Sequence, residues 1–581
     1  MKDYFNSGMR LYLDRLVDWE GILALRRGEA VNSEAEIGAF RLVLETVASL
    51  AQSFEGPARE HWTAAAELTA DGGAEPPPHM REAYDKLREA GLVSLPISET
   101  YGGAGLPLLL NGMVLEMVSR ADTSLMTIIG LQTGVAGDIE KYGSEEIKNA
   151  MLPRLVSGEL QGSMDLTEPQ AGSDLGRITT RATDLPDGRV KVDGQKMFIT
   201  NGGAEVHLVL ARDADNFDTS KGTTNGLSLI LVMRHGADGS VNGVRVTRLE
   251  RKLGIHGSPT CEVVFEGAIG VRLGEKGKGF RAMLDLMNNA RLGVAAQALG
   301  LAQAAFADAL VYAHQREQFG KPIAQQPLVQ SMLAKMSVNL EAVRALLYRA
   351  YELLDFTLAA EAFLAAGRGG PGERAEIAAR LERDHIRVRL LTPLCKYFAT
   401  EICSDVTRDA MQVFGGIGYT MDADVAKLHA DSLIMTVYEG TSEIQASFAL
   451  REMGKGALGV VFAEARRELS VMSSDPTRAG LAKRVEQGIA RIEEATKVLF
   501  SDIGYALLRA KLLSEMVIDV LAATELLRQV GVEPTRIDYA ESFIRRRMLE
   551  LEAVARRIEE NHQGRSERDA RVVAMSMTEA R

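Results

Sequence analysis

The chain has 581 residues, 46% hydrophobic and 25% charged, an ordinary globular composition with length for about four domains or fewer large ones. Lysine and arginine number 67 against 79 aspartates and glutamates, and the resulting net charge of −12 argues against wrapping nucleic acid, which needs a basic footprint. The three cysteines, Cys261, Cys395 and Cys403, fall in no CxxC or metal-ligand spacing, which excludes a disulfide scaffold and reads as small buried thiols.

The first thirty residues carry Asp3, Asp14, Asp18 and Glu20, unlike a signal or transit peptide. Unbroken apolar runs such as Leu229 to Met233 fall far short of the roughly 18 residues that span a bilayer, so membrane association is not expected and a cytoplasmic protein is. Apolar residues at three- and four-residue spacing predict amphipathic helices over 38–53 and 80–90, separated by the DGGAEPPP loop of 71–78. Helical pattern resumes over 112–142 and 144–157. The period then changes. Short β-branched and aromatic segments at 189–192, 195–200, 206–211, 227–233, 244–248 and 261–265, bounded by Gly, Asp and Asn, predict antiparallel strands in a compact β domain between about 160 and 275. Helical pattern returns after Gly279 to about Leu450, with breaks near 367–372 and 415–418. Residues 452–581 are helical too, with Arg and Glu at i, i+3 and i+4 that read as solvated faces. Helices, then strands, then helices exclude a doubly wound sheet, which alternates the two.

Two glycine strings, 102–105 and 415–418, follow no strand, so neither is a dinucleotide loop. Nine scattered histidines offer no metal spacing, and no metal site is expected. Three segments are more specific. LTEPQAGSD (166–174) opens the β domain with a turn whose hydroxyls and amides suit polar ring edges or phosphate, although an ordinary capped turn would read the same. KMFITNGG (196–203) runs a strand into a glycine turn. Alternation would put Phe198 and Thr200 on one face for a planar ligand, unless the aromatic is simply core. In YEGTSEIQ (438–445), Glu439 follows an apolar approach, where desolvation should raise its pKa as suits a general base; a helix-capping carboxylate is the alternative.

In this order the three segments resemble the acyl-CoA dehydrogenase family, flavoproteins that introduce a double bond next to a thioester. REQFGK (316–321) is similar to that family's arginine-to-FGK segment. QVFGGIGY (412–419), followed by Asp422, Lys427 and Asp431, resembles its C-terminal signature, and the resemblance runs from about residue 40 to 455. It implies a mainly α fold with a central β-barrel domain: a helical N-domain, β barrel, four-helix bundle and extra C-terminal helical domain. The implied division is an N-terminal helical extension at 1–35, a helical domain at 36–160, the barrel at 161–275, a bundle at 276–451 with an insertion near 356–383, and the extra domain at 452–581. FAD is the implied cofactor. By resemblance its ring would meet Met164, Leu166, Thr167, Gly172, Ser173, Phe198, Ile199 and Thr200. Its pyrophosphate and adenosine end would meet Arg316, Gln318, Phe319, Gln412, Val413, Gly415 and Gly416, partly across a subunit boundary, with Thr441 and Glu443 also in contact. Ser173, Asn288, Arg291, Tyr438 and Gly440 would line the substrate. Glu439 would be the catalytic base, its backbone N–H assisting a flavin hydroxyl at the thioester carbonyl.

Departures from the family pattern are Asp165 and Arg177, where small residues are usual, Met164 where an aromatic is frequent, and Asn288 where many relatives carry aspartate. Some branched-chain members place the base at the position of Ala290, and alanine cannot serve, which leaves Glu439. The length resembles the larger subgroup, whose substrates include long acyl chains and sulfur-containing short ones such as methylthiopropanoyl-CoA. The resemblance therefore implies an α,β-dehydrogenase giving trans-2-enoyl-CoA, a homo-oligomer (a dimer), and an electron-transfer flavoprotein as partner. An acyl-CoA oxidase using oxygen and an inactive scaffold on the same fold are the alternatives. The acyl chain stays open, and the N-terminal extension is expected to pack on the helical N-domain.

Overall fold

The computed structural model describes residues 3–28, 31–560 and 564–579, without the side chains of Asp285, Leu286, Asn288, Ser566, Thr578 and Glu579. Asn288, expected at the substrate, is thus outside the described side chains. In chain order the main elements begin with α1 (Trp19–Arg27), α2 (Leu108–Ala121), α3 (Thr123–Tyr142) and α4 (Glu145–Val156). Seven strands follow: β1 (Gly162–Asp165), β2 (Arg181–Asp184), β3 (Val190–Thr200), β4 (Val206–Asp213), β5 (Leu227–Met233), β6 (Val244–Leu249) and β7 (Thr260–Leu273). Then come α5 (Gly279–Gln315), α6 (Pro327–Ala365), α7 (Pro371–Phe414), α8 (Asp424–Ser432) and α9 (Ser442–Gly454). The C-terminal region contributes α10 (Pro476–Leu499), α11 (Ala510–Val532) and α12 (Ile537–Glu560). The chain folds into two compact units, each drawn from separated segments.

The first unit comprises Met1–Phe5, Phe40–Ala309 and Ala410–Met435. Its helical stretch at 112–142, expected as one helix, is broken at Asp122. That residue adopts an extended backbone and its carboxylate accepts from Ser124 and Leu125 N–H, capping α3 at 2.9 and 3.3 Å. The strands close into a barrel in the ring β4, β2, β3, β7, β5 and back to β4, with β1 beside β4 and β6 beside β7. Two pairings correct the antiparallel expectation: β1 and β2 both run parallel to β4. The segments read as two strands at 189–192 and 195–200 are one strand, β3, with register shifts after Val192 and Lys196. Along β4, Leu208 and Leu210 pack with Val135, Ile139, Leu152 and Leu155 of the helices. Val209 and Ala211 alternate into the barrel core with Val192, Ile230, Val263 and Phe265. A strand buried on both faces reads as a continuous apolar run, which VHLVLA is.

The second unit comprises Asn6–Ala39, Leu310–Asp409 and Thr436–Arg581. Its axis is α11, apolar and buried along nearly its whole length. From Asn6 onward the N-terminal segment belongs here, which corrects the expectation for all but its first residues: Tyr4 still packs on the helical N-domain, donating to Glu55 at 3.0 Å. Ile22 of α1 packs with Phe356 and Ala360, beside Ile377 and Leu381. The Tyr12 ring meets Tyr348 edge-on at 5.1 Å, and Gln529 donates to its hydroxyl at 3.2 Å. The charges of 452–581 are not all solvated either: Asp519 is buried against Arg547 at 2.6 Å, and Glu525 with Arg349 and Arg528. The free cysteines are buried as read. Helix α5 is long and apolar enough by composition to cross a membrane, but 72% of its most apolar window is buried, as in a core helix.

Candidate active site

Alternation along β1 turns Ser163 and Asp165 inward. Asp165 accepts from Ser163 Oγ at 2.7 Å and lies 2.8 Å from His207 Nδ1, all three fully buried, with His207 edge-on to Phe265 of the barrel core. The unusual Asp165 is therefore a satisfied interior group, and the opposite face of β1 is left to the half-buried Met164. Arg177 is exposed.

The turn that follows is held by an ion pair the sequence reading did not assign. Lys196 Nζ lies 2.9 Å from Glu168 Oε1 and also donates to the Leu166 and Leu210 carbonyls at 2.9 and 2.7 Å. Burial pushes the Glu168 carboxyl up, but Lys196 and the donors of Thr179 and Thr180 outweigh it and hold it at about 2. Glu168 and Ala171 close the turn with two backbone hydrogen bonds of 3.0 Å, and Met197 N–H donates to Thr167 O at 2.9 Å. Arg212, fully buried on β4, donates to the carbonyls of Gly176, Ile178, Ser220, Thr223 and Asn225. It anchors the loop beyond Ser173. The sequence signal for Arg212 is a cation closing an apolar run, while Lys196 shares its strand with Lys191, Asp193 and Gln195 and has none; their carbonyl partners are scattered along the chain. The result is a rigid turn whose outer rim, Gly172 and Ser173, is exposed, while Thr167 is half-buried and Leu166 buried.

The shift after Lys196 is a bulge. Lys196 and Ile199 both point inward, three residues apart, so simple alternation fails and Ile199 offers a ligand only its backbone. Phe198 is left at φ +60°, 56% exposed, with Thr200 half-buried beside it. Elsewhere in this unit, Gln412, Gly415 and Gly416 are exposed where α7 runs into a tight turn, and no atom lies within 4 Å of a Cβ built at either glycine. Val413 is buried. Lys427 and Asp431 form a buried pair at 2.5 Å, and Asp431 accepts from Ile255 N–H, so these signature residues tie α8 to the β6–β7 loop. Arg291 is buried on α5.

In the second unit, Glu317–Gln318 and Lys321–Pro322 pair as a hairpin. Its two-residue turn, Phe319 at φ +54° and Gly320 at φ +75°, is of the type that needs both residues left-handed. Phe319 is 93% exposed there, and Arg316 and Gln318 are exposed alongside. Glu439 sits at φ +53° and Gly440 at φ +89°, two left-handed residues just before α9. The helix cap is Thr441, whose hydroxyl accepts from Ile444 N–H at 3.4 Å, so Glu439 is not the capping group. Gln445 Nε2 donates to the Glu439 carbonyl at 2.7 Å, and a Cβ on Gly440 would stand 2.8 Å from that amide. Tyr438 is half-buried. Glu443 is exposed and pairs with Lys511 of α11 at 3.2 Å.

Family models for the N-terminal, middle and C-terminal domains of acyl-CoA dehydrogenase match residues 42–159, 163–268, and 277–366 with 374–454. The chain belongs to the acyl-CoA dehydrogenase family. An acyl-CoA dehydrogenase of Bacillus subtilis is 35% identical over 62% of this chain and 86% of its own length. The 3-methylmercaptopropionyl-CoA dehydrogenase of Ruegeria pomeroyi is 32% identical over 75% of this chain and 73% of its own. The acyl-CoA dehydrogenase of Bacillus anthracis, solved with FAD, shares the fold with a TM-score of 0.74 and 23% identity, over 90% of this chain and 88% of that one. The protein is a flavin-dependent acyl-CoA dehydrogenase with FAD as cofactor, mainly helical around a closed β barrel. Its residues fit that group. Of the six non-glycine residues at positive φ among the described residues, four (Phe198, Asn201, Phe319 and Glu439) lie in the segments expected at the cofactor and base, where strain survives only if the surroundings enforce it. The open backbone at Gly172, Gly415 and Gly416 lets a ligand approach closely.

Proposed function

We propose that the enzyme removes the α and β hydrogens of an acyl-CoA thioester to give the trans-2-enoyl-CoA, with Glu439 as the base. The observation that carries this reading is the turn at 438–441. It spends its left-handed conformations on Glu439 and Gly440 and leaves helix capping to Thr441. The carboxylate and the backbone N–H are thereby presented by one residue of a defined turn. The carboxylate takes the α proton, and the N–H donates to the thioester carbonyl as enolate charge grows. A preorganised donor of this kind is worth ~3–4 kcal/mol in the transition state. Bound FAD supplies the acceptor for the β hydrogen, which leaves as hydride. Phe198 and Thr200 would hold the ring, with Thr167 and Ser173 at its edge. Gln412, Gly415 and Gly416 would meet the pyrophosphate end, with Arg316 and Gln318 reaching a neighbouring copy's cofactor in a dimer. Electron-transfer flavoprotein as acceptor and a cytoplasmic location belong to the same proposal.

Anaerobic bleaching of the flavin by acyl-CoAs from propanoyl and 3-methylmercaptopropionyl to palmitoyl tests the reaction and ranks its substrates. Bleaching by one class is expected, with Glu439→Gln slowing it at least roughly a hundredfold. Bleaching at the wild-type rate in that variant removes Glu439 from the role, and peroxide formation during turnover in air would favour the oxidase.

A further inference from the structure

Two charged groups of α7 grip the Glu439 turn from behind, and nothing in the chemistry above uses them. Lys396, with 0% of its surface exposed, donates from Nζ to the Gly440 carbonyl at 2.8 Å. Glu401, five residues further along α7, accepts the Ser442 hydroxyl at 2.5 Å. The two contacts flank Thr441, the cap of α9. Gln445, also buried, holds the Glu439 carbonyl at 2.7 Å and reaches that of Gly440 at 3.3 Å. Lys511 of α11 pairs with Glu443 at 3.2 Å and comes within 3.9 Å of Glu401, on the exposed side of the same turn.

A fully buried ammonium is costly to desolvate, and a neutral donor could hold the Gly440 carbonyl without that cost. The ammonium's advantage is stiffness. Charge-assisted hydrogen bonds are shorter and stronger than neutral ones, and the peptides that follow Glu439 must be held away from their relaxed conformations. With the Glu439 and Gly440 carbonyls both fixed, neither of the two peptides that follow Glu439 can rotate, which anchors the Cα from which its carboxylate extends.

We propose that Lys396 and Glu401 are positioning residues for Glu439, holding the 439–442 turn in its left-handed conformation without touching the substrate. The inference rests on Glu439 being the base. Its test is the reductive half-reaction of the holoenzyme with the best acyl-CoA of the panel, rates taken per bound flavin, with substrate carrying hydrogen or deuterium at the α carbon. Lys396→Met and Glu401→Ala are expected to lower the rate roughly 10- to 100-fold, the scale on which small misplacements act. KM should stay within about threefold, and the α-deuterium isotope effect should rise as proton removal becomes limiting. Glu401→Gln keeps an oxygen for Ser442 and should restore most of the rate. Ser442→Ala removes the same bond from its other end, so it should match Glu401→Ala, and the double variant should add little. If Lys396→Met does not fold, the Glu401 and Ser442 series decides alone. Wild-type rates and isotope effects per flavin in all of these, with Glu439→Gln inactive, would overturn the positioning role and leave the base intact. Persistent α-proton removal in Glu439→Gln would instead overturn the reading beneath it.

Discussion

Glu168 and Lys196 are two charges almost without solvent, and what they contribute depends on pH. Burial would raise the Glu168 carboxyl, yet Lys196 and the Thr179 and Thr180 donors bring it to about 2, below its ordinary 4.5. A carboxyl lowered on folding stabilises above its unfolded pKa and loses that contribution as pH falls through the folded one. The window is thus about pH 4.5 down to 2, although burial lowers the Lys196 pKa and offsets part of the gain. Glu168→Gln should cost roughly 3–5 kcal/mol at pH 7, where it strands a buried ammonium. It should also lose less stability than the wild type between pH 4.5 and 3. Urea unfolding of both proteins at pH 7, 4.5 and 3 checks this, and parallel acid losses would contradict it. Both residues stood in motifs read as facing a cofactor, but their partnership was not legible, because 28 residues separate them and nothing local announces the pair. Asp165 was harder still. The sequence marked it as a departure, but only the pairing of β1 with β4 brings His207 to it.

At the scale of elements, legibility followed how local the cause was. The barrel strands were readable because their apolar and β-branched runs are local, and the break between α6 and α7 because Gly and Pro mark it. The merger of 189–200 into β3 was not, since a bulge is fixed by the partner strand β7 and leaves no composition signal. Nor was the division of 112–142, where one aspartate ends α2 and caps α3 while the apolar periodicity runs on. The bulge yields a prediction of its own. Phe198 holds a left-handed backbone at a cost of ~1 kcal/mol or more, which glycine does not bear. Phe198→Gly should leave the cofactor-free protein at least as stable as the parent while weakening FAD binding roughly tenfold or more, as a stacking ring is lost. Thermal unfolding of the cofactor-free protein and flavin titration measure the two effects separately. A loss of stability without loss of FAD affinity would remove Phe198 from the flavin site and give it a structural role.

For the whole molecule, helices followed by strands and more helices were visible from periodicity, and the motif order carried the family. The grouping of segments was not visible, because two pieces of chain show no mark of being neighbours when their contact surface is ordinary apolar side chains. Residues 6–28 and the stretch around 356–381 had been separate unknowns, and each turns out to cover the other through Ile22, Phe356, Ala360 and Leu381. Removing residues 1–28 should therefore damage the second unit. Tyr12, Trp19 and Ile22 are fully buried there, at about 1.5–3 kcal/mol for each large apolar side chain. Limited proteolysis should show cleavage within 436–581 accelerating roughly tenfold or more as local opening becomes easier. Unchanged cleavage would mean the segment is dispensable to that unit.

The hydrogen bond from Gln529 to the Tyr12 hydroxyl joins residues 517 positions apart. At about 5–20 residues per second on the ribosome, on the order of 25–100 s separates the synthesis of the two partners. The barrel draws its strands from a single stretch and can close early in that interval. Ile22 and the Tyr12 ring meanwhile wait for Phe356 and Tyr348 of α6, and the Tyr12 hydroxyl waits longer still for Gln529. The second unit's assembly is thus staged by the order in which α6 and then α11 leave the ribosome, with its first residues among the last to be fully covered.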